Sequence, residues 1–198
     1  MREWSKTSVS KKKEPARHKL GFLTSFVAFV GCIPASNFLI QNVGTVCIAE
    51  GPCLLPVAPN LLAPSGVVLI GIALVLRDSV QTFGGSLLTL SAIVIGGVLS
   101  ALFAPASLAV ASAAAFVSSE LADFAVFTPL RRRNLVLAVV FSGLVGAVVD
   151  SLIFLSLAFG DLEFLGGQVI GKLWALIVAV PIVWLVRYRR ARAPIEIA

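Results

Sequence analysis

The chain has 198 residues, of which 58% are apolar and only 13% are charged, and its formal net charge is +6. A water-soluble domain carries roughly a quarter of its residues as Asp, Glu, Lys and Arg, so most of this surface must face lipid. The mean hydropathy of +0.99 agrees, and a soluble enzyme or a nucleic-acid-binding domain is excluded as the overall class.

The positive charge is grouped rather than spread. Arg2, Lys6, Lys11, Lys12, Lys13, Arg17 and Lys19 precede the first apolar run, Arg131 to Arg133 form a second group, and Arg187, Arg189, Arg190 and Arg192 a third. Each group abuts an apolar stretch, which is the positive-inside pattern. Such charges suit anionic lipid headgroups, and no nucleic-acid partner is expected.

A bilayer core about 30 Å thick needs about 20 helical residues to cross it. Taken in chain order, the first apolar run covers about residues 21–43. A Pro-rich loop follows over about 44–63, with Cys47, Glu50, Cys53, Pro56 and Pro59. The second run covers about 64–81 and is broken by Gly84-Gly85. The third covers about 87–103, and Pro105 turns the chain into the fourth, about 106–127. Pro129 and the Arg cluster end that run. The fifth covers about 135–159, and after Asp161 and Glu163 the sixth covers about 168–186.

Six crossings place all fourteen of these basic residues on one side and leave acids in the opposite loops; an odd number would split them. The expected fold is therefore an all-α membrane protein with six transmembrane helices. Its domain occupies residues 21–187, between a basic tail at 1–20 and another at 188–198. Both termini are expected in the cytoplasm, with the chain multi-pass in a bacterial inner or plasma membrane. The FVGC sequence around Cys32 faintly resembles a lipoprotein cleavage site, but the apolar run continues to Val43, longer than the core of a signal peptide. Cys47 and Cys53 are two free thiols on the plainest reading, or a disulfide if their loop is extracytoplasmic.

Six ionisable residues fall inside the spans: Arg77, Asp78, Glu120, Asp123, Asp150 and Lys172. Unpaired charge at this depth costs at least about 2.5 kcal/mol, so such residues usually face the bundle interior and mark a pathway or site. Four acids against two bases leave carboxylates free for a ligand or for protons. Asp150 lies near mid-span and is the strongest candidate. Glu120 and Asp123 share one helical face, while Arg77 and Lys172 lie close enough to span ends to snorkel. The competing reading is a set of ion pairs that hold helices together. Asn37, one turn after Pro34, and Gln81, one turn after Arg77, join the polar set, as do Ser119 and Gln168. Trp174 suits either stacking on a flat ligand or anchoring at the interface, and Trp184 suits anchoring. Gly167 and Gly171, and Gly143 with Gly146 and Ala147, are expected to serve close helix packing.

No catalytic constellation emerges. There is no His in any span, no HExxH, no phosphate-binding Lys motif and no GxSxG. The chain is thus not expected to be an enzyme, and no cofactor or metal is implied. An intramembrane enzyme using Asp123 and Asp150 is the remaining reading of that kind.

Four segments carry a family resemblance: GIALVLRDSVQTFGG (71–85), SELADFAVFTPLRRR (119–133), SGLVGAVVDSLIFLSLAFG (142–160) and GKLWALIVAVP (171–181). In this order, with a weaker likeness around Asn37, the chain resembles the queuosine precursor transporter family, also called the vitamin uptake transporter family. The resemblance implies a six-helix fold similar to the substrate-binding subunits of energy-coupling-factor importers. It further implies uptake of a deazaguanine such as 7-cyano-7-deazaguanine, without a dedicated ATPase. The Lys-rich start and the Cys47–Cys53 loop are not part of the shared pattern.

For that ligand the expected site has a carboxylate among Asp150, Asp123 and Glu120 on the donor edge of the base. Asn37, Gln81, Lys172 and Trp174 complete it, with Arg77 and Asp78 as an ion pair for structure or coupling. Proton coupling is a further expectation. The partners are the small molecule and the bilayer, with a homo-oligomer left open. The nearest rival is a vitamin-binding subunit that works with a separate energising ATPase.

Overall fold

The computed structural model describes residues 6–49 and 51–192. Arg2, Glu50 and residues 193–198 lie outside the described residues, as do the side chains of residues 6–18, 179 and 182–192, so the charges of the two basic tails other than Lys19, and Trp184, lie outside as well. Six helices make up most of the chain: α1 (Lys6–Asn42), α2 (Val67–Gly84), α3 (Ser86–Phe103), α4 (Ala109–Leu130), α5 (Leu135–Ala158) and α6 (Leu165–Arg192). The first of them already begins at Lys6, within the stretch expected to be a tail.

Five of these helices are long and apolar enough to cross a membrane: the Lys19–Asn42 part of α1, and α2 to α5. The apolar part of α6 is shorter, Leu165–Val178 among the described residues. Successive helices reverse direction. One end of the bundle therefore gathers the α1–α2, α3–α4 and α5–α6 connections, and the other carries Arg131 to Arg133.

The mostly helical chain agrees with the expected all-α membrane class, and one expectation within it is corrected: residues expected as a loop form a three-stranded antiparallel sheet of β1 (Val46–Cys47), β2 (Cys53–Ala58) and β3 (Leu61–Pro64). Leu54, Leu55 and Pro56 of β2 face Pro64, Ala63 and Leu62 of β3. The segment is too short to span a bilayer but apolar enough to bury one face, and Cys53, Leu54 and Ala63 are sealed against the helices. Asn60 makes the tight turn at φ 59°, a left-handed conformation that Asn tolerates through its short polar side chain. The structure also pairs Cys47 with Cys53 in a disulfide that ties β1 to β2, against the plainest reading of two free thiols. Pairing in the sheet sets the two cysteines opposite each other, which spacing alone could not reveal.

The helices are turned inside out relative to a soluble bundle. On α3 the buried face is Thr89, Ala92, Ile93, Gly96, Gly97 and Ser100, whereas Leu87, Val94, Val98 and Leu102 are exposed. Where lipid is the solvent there is no hydrophobic drive between helices, and small residues that permit close contact do the packing. Gly71 of α2 shows this, since a Cβ there would lie 2.8 Å from the Lys172 carbonyl oxygen of α6. A side chain at Gly167 would likewise run into the Leu62 carbonyl of β3, and one at Gly171 would meet Val67 of α2. The expected packing role of Gly167 and Gly171 thus joins α6 to the sheet and to α2.

Three apolar clusters hold the bundle. Phe29, Ile33, Ala73, Val80, Ala92 and Phe116 join α1 to α4; Leu108, Ala111, Ala115, Phe154 and Leu155 join α4 and α5 near the sheet end. Phe127, Ala138, Val139 and Leu176 close the arginine end. Between them lies a polar interior.

Candidate functional site

The six intramembrane charges divide into two groups. The first is centred on Arg77, whose guanidinium is completely buried. Its Nε donates to Glu120 Oε2 at 3.2 Å and its Nη1 to Gln81 Oε1 at 2.9 Å. Its Nη2 pairs with Asp78 Oδ1 at 3.0 Å and with Asp123 Oδ1. The guanidinium also lies over the Phe127 ring, 5.5 Å from its centroid, where the ring quadrupole attracts a cation.

Around this centre Gln81 donates to Thr128 Oγ1 at 2.9 Å, and Ser142 Oγ donates to Asp78 Oδ2 at 3.4 Å. Arg131 Nη1 reaches in to the Gln81 carbonyl at 2.8 Å. Local spacing explains the geometry. Arg77 and Gln81 are one turn apart on α2, and Glu120 and Asp123 are three apart on α4, so each pair presents one face to the other. A planar five-donor fork is the side chain suited to several acceptors at once.

The second group lies toward the sheet end. Lys172 Nζ is 2.9 Å from Asp150 Oδ2 and donates to Ser151 Oγ and Gln168 Oε1, both at 2.6 Å. Gln168 precedes Lys172 by one helical turn on α6, and Asp150 and Ser151 are neighbours on α5. Ser119 Oγ donates to Asp150 Oδ1 at 3.4 Å. Unlike the first group, this one borders a hollow.

That cavity, about 50 Å³, is lined by residues of α1 to α6 and by the end of the sheet. Its polar lining is Ser36, Asn37, Ser100, Ser112, Asp150 and Gln168, set among apolar residues that include Ile33, Val67, Phe116 and Phe154. Pro64 of β3 and Gly66 close it on the sheet side. A few convergent polar groups in an apolar cavity are what orient a small bound molecule. The volume holds about four waters, so a ligand larger than that must widen the site.

The expected site residues are therefore only partly together. Asp150 and Asn37 line the cavity, and Lys172 stands directly behind it. Gln81, Glu120 and Asp123, expected to touch the ligand, are instead locked around Arg77 and do not line the cavity. The snorkelling that depth left open to Arg77 and Lys172 does not occur; both are buried. Trp174 is half-exposed and its Nε1 donates to the Val57 carbonyl at 2.9 Å. It braces α6 against β2, outside the cavity. Ser36, Ser100, Ser112, Phe116 and Phe154 were not singled out by sequence. Only the adjacency of Ser36 to Asn37 offered a signal, since small hydroxyls and Phe are ordinary in membrane helices. No cluster of three or more metal-binding side chains occurs among the described residues.

A bundle of lipid-facing helices around a largely apolar internal cavity with a few polar groups defines the class: a multi-pass membrane protein with a small-molecule-sized hollow. A family model described as "Putative vitamin uptake transporter" matches residues 67–186, from the start of α2 into α6. The chain belongs to the vitamin uptake transporter family. Neither a curated protein nor a solved structure matches it. Helix α1 and the sheet, with Asn37 and the Cys47–Cys53 bridge, precede the matched region.

Proposed function

We propose that this protein imports a queuosine precursor, a nucleobase like 7-cyano-7-deazaguanine, through the cavity between Asn37, Phe116, Asp150 and Gln168. The observation that carries the reading is Asp150, a carboxylate in a membrane interior that pairs with Lys172 and also borders the cavity. A guanine-type ring presents N–H groups on one edge, which a carboxylate accepts. Phe116 and Phe154 offer apolar faces to such a ring.

All six helices cross the membrane in this reading, with α6 as the sixth span. The sheet end faces the exterior and the termini the cytoplasm. Two features support it: Arg131 to Arg133 mark the opposite end as cytoplasmic, and a disulfide suits an oxidising compartment. The Arg77 group, where three acids meet one base, is assigned to proton coupling.

The test is uptake of labelled 7-cyano-7-deazaguanine by cells that lack their own route to it, expressing this chain or its Asp150→Asn variant. Uptake by the first and not the second is expected, with equal amounts of both in the membrane. Equal uptake by both removes Asp150 from the site. Uptake that ignores a protonophore and external pH removes the coupling. Stable co-purification with an ATPase would instead favour a subunit of a larger importer.

A further inference from the structure

Lys172 was expected to contact the ligand, but an ammonium has three N–H donors, and all three are engaged. They go to Ser151 Oγ, Gln168 Oε1 and Asp150 Oδ2, at 2.6, 2.6 and 2.9 Å. Lys172 is itself 1% exposed and is not part of the cavity wall. Nothing is left with which it can hold a ligand.

What it does hold is the orientation of two cavity residues. An ammonium can only donate, so the Gln168 atom facing it must be the carbonyl oxygen. This assigns the amide without ambiguity and turns the Nε2 donor away from Lys172. Gln168 Nε2 meets no acceptor of the described chain, although Gln168 is buried and lines the cavity. Asp150 is held in the same way. Its Oδ2 is taken by Lys172, and Oδ1 receives only a 3.4 Å bond from Ser119. The Ser119 hydroxyl has a single proton and already faces the Phe116 carbonyl at 3.0 Å, so Oδ1 keeps accepting capacity.

We infer that Lys172 is a positioning residue that sets Gln168 Nε2 as donor and Asp150 Oδ1 as acceptor, so that the site selects neutral planar ligands carrying an adjacent N–H and C=O. This rests on the proposed uptake reading and deepens it. The selected feature is a lactam edge, with N–H to Asp150 and C=O to Gln168. An analogue with an amino group in place of the carbonyl sets two donors against each other. A site built to hydrogen-bond one edge rejects the wrong one strongly, because its own buried groups are left unpaired.

The test measures dissociation constants on the purified full-length chain in lipid nanodiscs, with 7-cyano-7-deazaguanine and its diamino counterpart, in which an amino group replaces the ring carbonyl. Wild type should prefer the lactam by about tenfold or more. In Gln168→Glu, Lys172 still grips one oxygen, but the second terminal atom changes from donor to acceptor, so that preference should fall about tenfold or reverse. Lys172→Met frees the amide to flip and should bring the two constants within about threefold, with thermal melting used to confirm that the variant is folded. A preference unchanged in Gln168→Glu overturns the inference while leaving the uptake reading in place. If neither purine analogue binds folded wild type, the deazaguanine reading falls. 1-Methyluracil against 1-methylcytosine then repeats the lactam-versus-amino contrast on a smaller ring, the methyl group blocking the N1–H beside C2=O that the parent bases share. A preference for 1-methyluracil abolished by Gln168→Glu would keep the edge inference, and its absence would overturn it too.

Discussion

The Arg77 group and the Lys172 group use the same kinds of side chain for different ends. Around Arg77, three carboxylates, an amide and an aromatic ring close on one guanidinium, and the cavity does not reach it. Around Lys172, one carboxylate, one amide and one hydroxyl share an ammonium, and both the carboxylate and the amide border the cavity. The difference follows from donor number and reach. Arg can gather several helices into one knot, whereas Lys, with three donors on a flexible stem, holds a few acceptors and leaves their far sides free. Charge in the bundle thus links α2 to α4 around Arg77 and, around Lys172, stands behind two residues of the cavity lining.

Breaking the fastening should produce the largest effect. Arg77→Met leaves three buried acids without their counter-charge, and removing one partner from such a group costs about 3–5 kcal/mol. The expected result is a large loss of folded protein in detergent melting, beyond that of any cavity variant. A mild effect would mean that the knot is not structural.

Asp150→Asn should harm uptake more than the fold. It takes the carboxylate from Lys172, but Ser151, Gln168 and the new amide oxygen can still accept from the ammonium. Its loss in melting should therefore be smaller than that of Arg77→Met. Losing a charged hydrogen bond to the ligand costs about 1.5–3 kcal/mol, which corresponds to about 10- to 150-fold in apparent affinity. If melting falls while affinity is unchanged, the two groups are not functionally distinct.

The sheet end offers a sharper contrast with the matched helices. The Cys47–Cys53 bridge closes a loop with a sequence separation of 6, and loop entropy at that length is worth about 2 kcal/mol. Replacing both cysteines with Ser should lower the melting temperature modestly, and added reductant should do the same to wild type and nothing further to the variant. The smallest effect is expected at Trp174. Trp174→Phe removes its bond to the Val57 carbonyl, at about 0.5–1.5 kcal/mol, and should leave uptake within about twofold of wild type, as expected for a brace. A strong loss of uptake would return Trp174 to the site.

How much of this was legible in advance can be traced residue by residue. The runs that became α2 to α5 were found with ends shifted by only a few residues, because a span is dictated by solvent and needs no partner. The 44–63 segment was read as a loop because its Pro content hides strand pairing, and pairing exists only once β2 and β3 meet. Asp150 could be picked out because its depth makes it costly. Glu120 and Asp123 have the same chemistry at similar cost, and nothing in their local sequence says that Arg77 would claim them.

Composition, charge placement and span length thus determined by themselves that this chain lives in a membrane as a helical bundle, since those properties depend on each segment's own exchange between water and lipid. Which buried charges are knotted together and which face a cavity was decided only by the tertiary structure. Hydrogen bonds depend on which helix faces arrive within about 3 Å of one another, and that is settled by the packing of Gly71 on α6, of Gly167 on the sheet, and of α4 against α5.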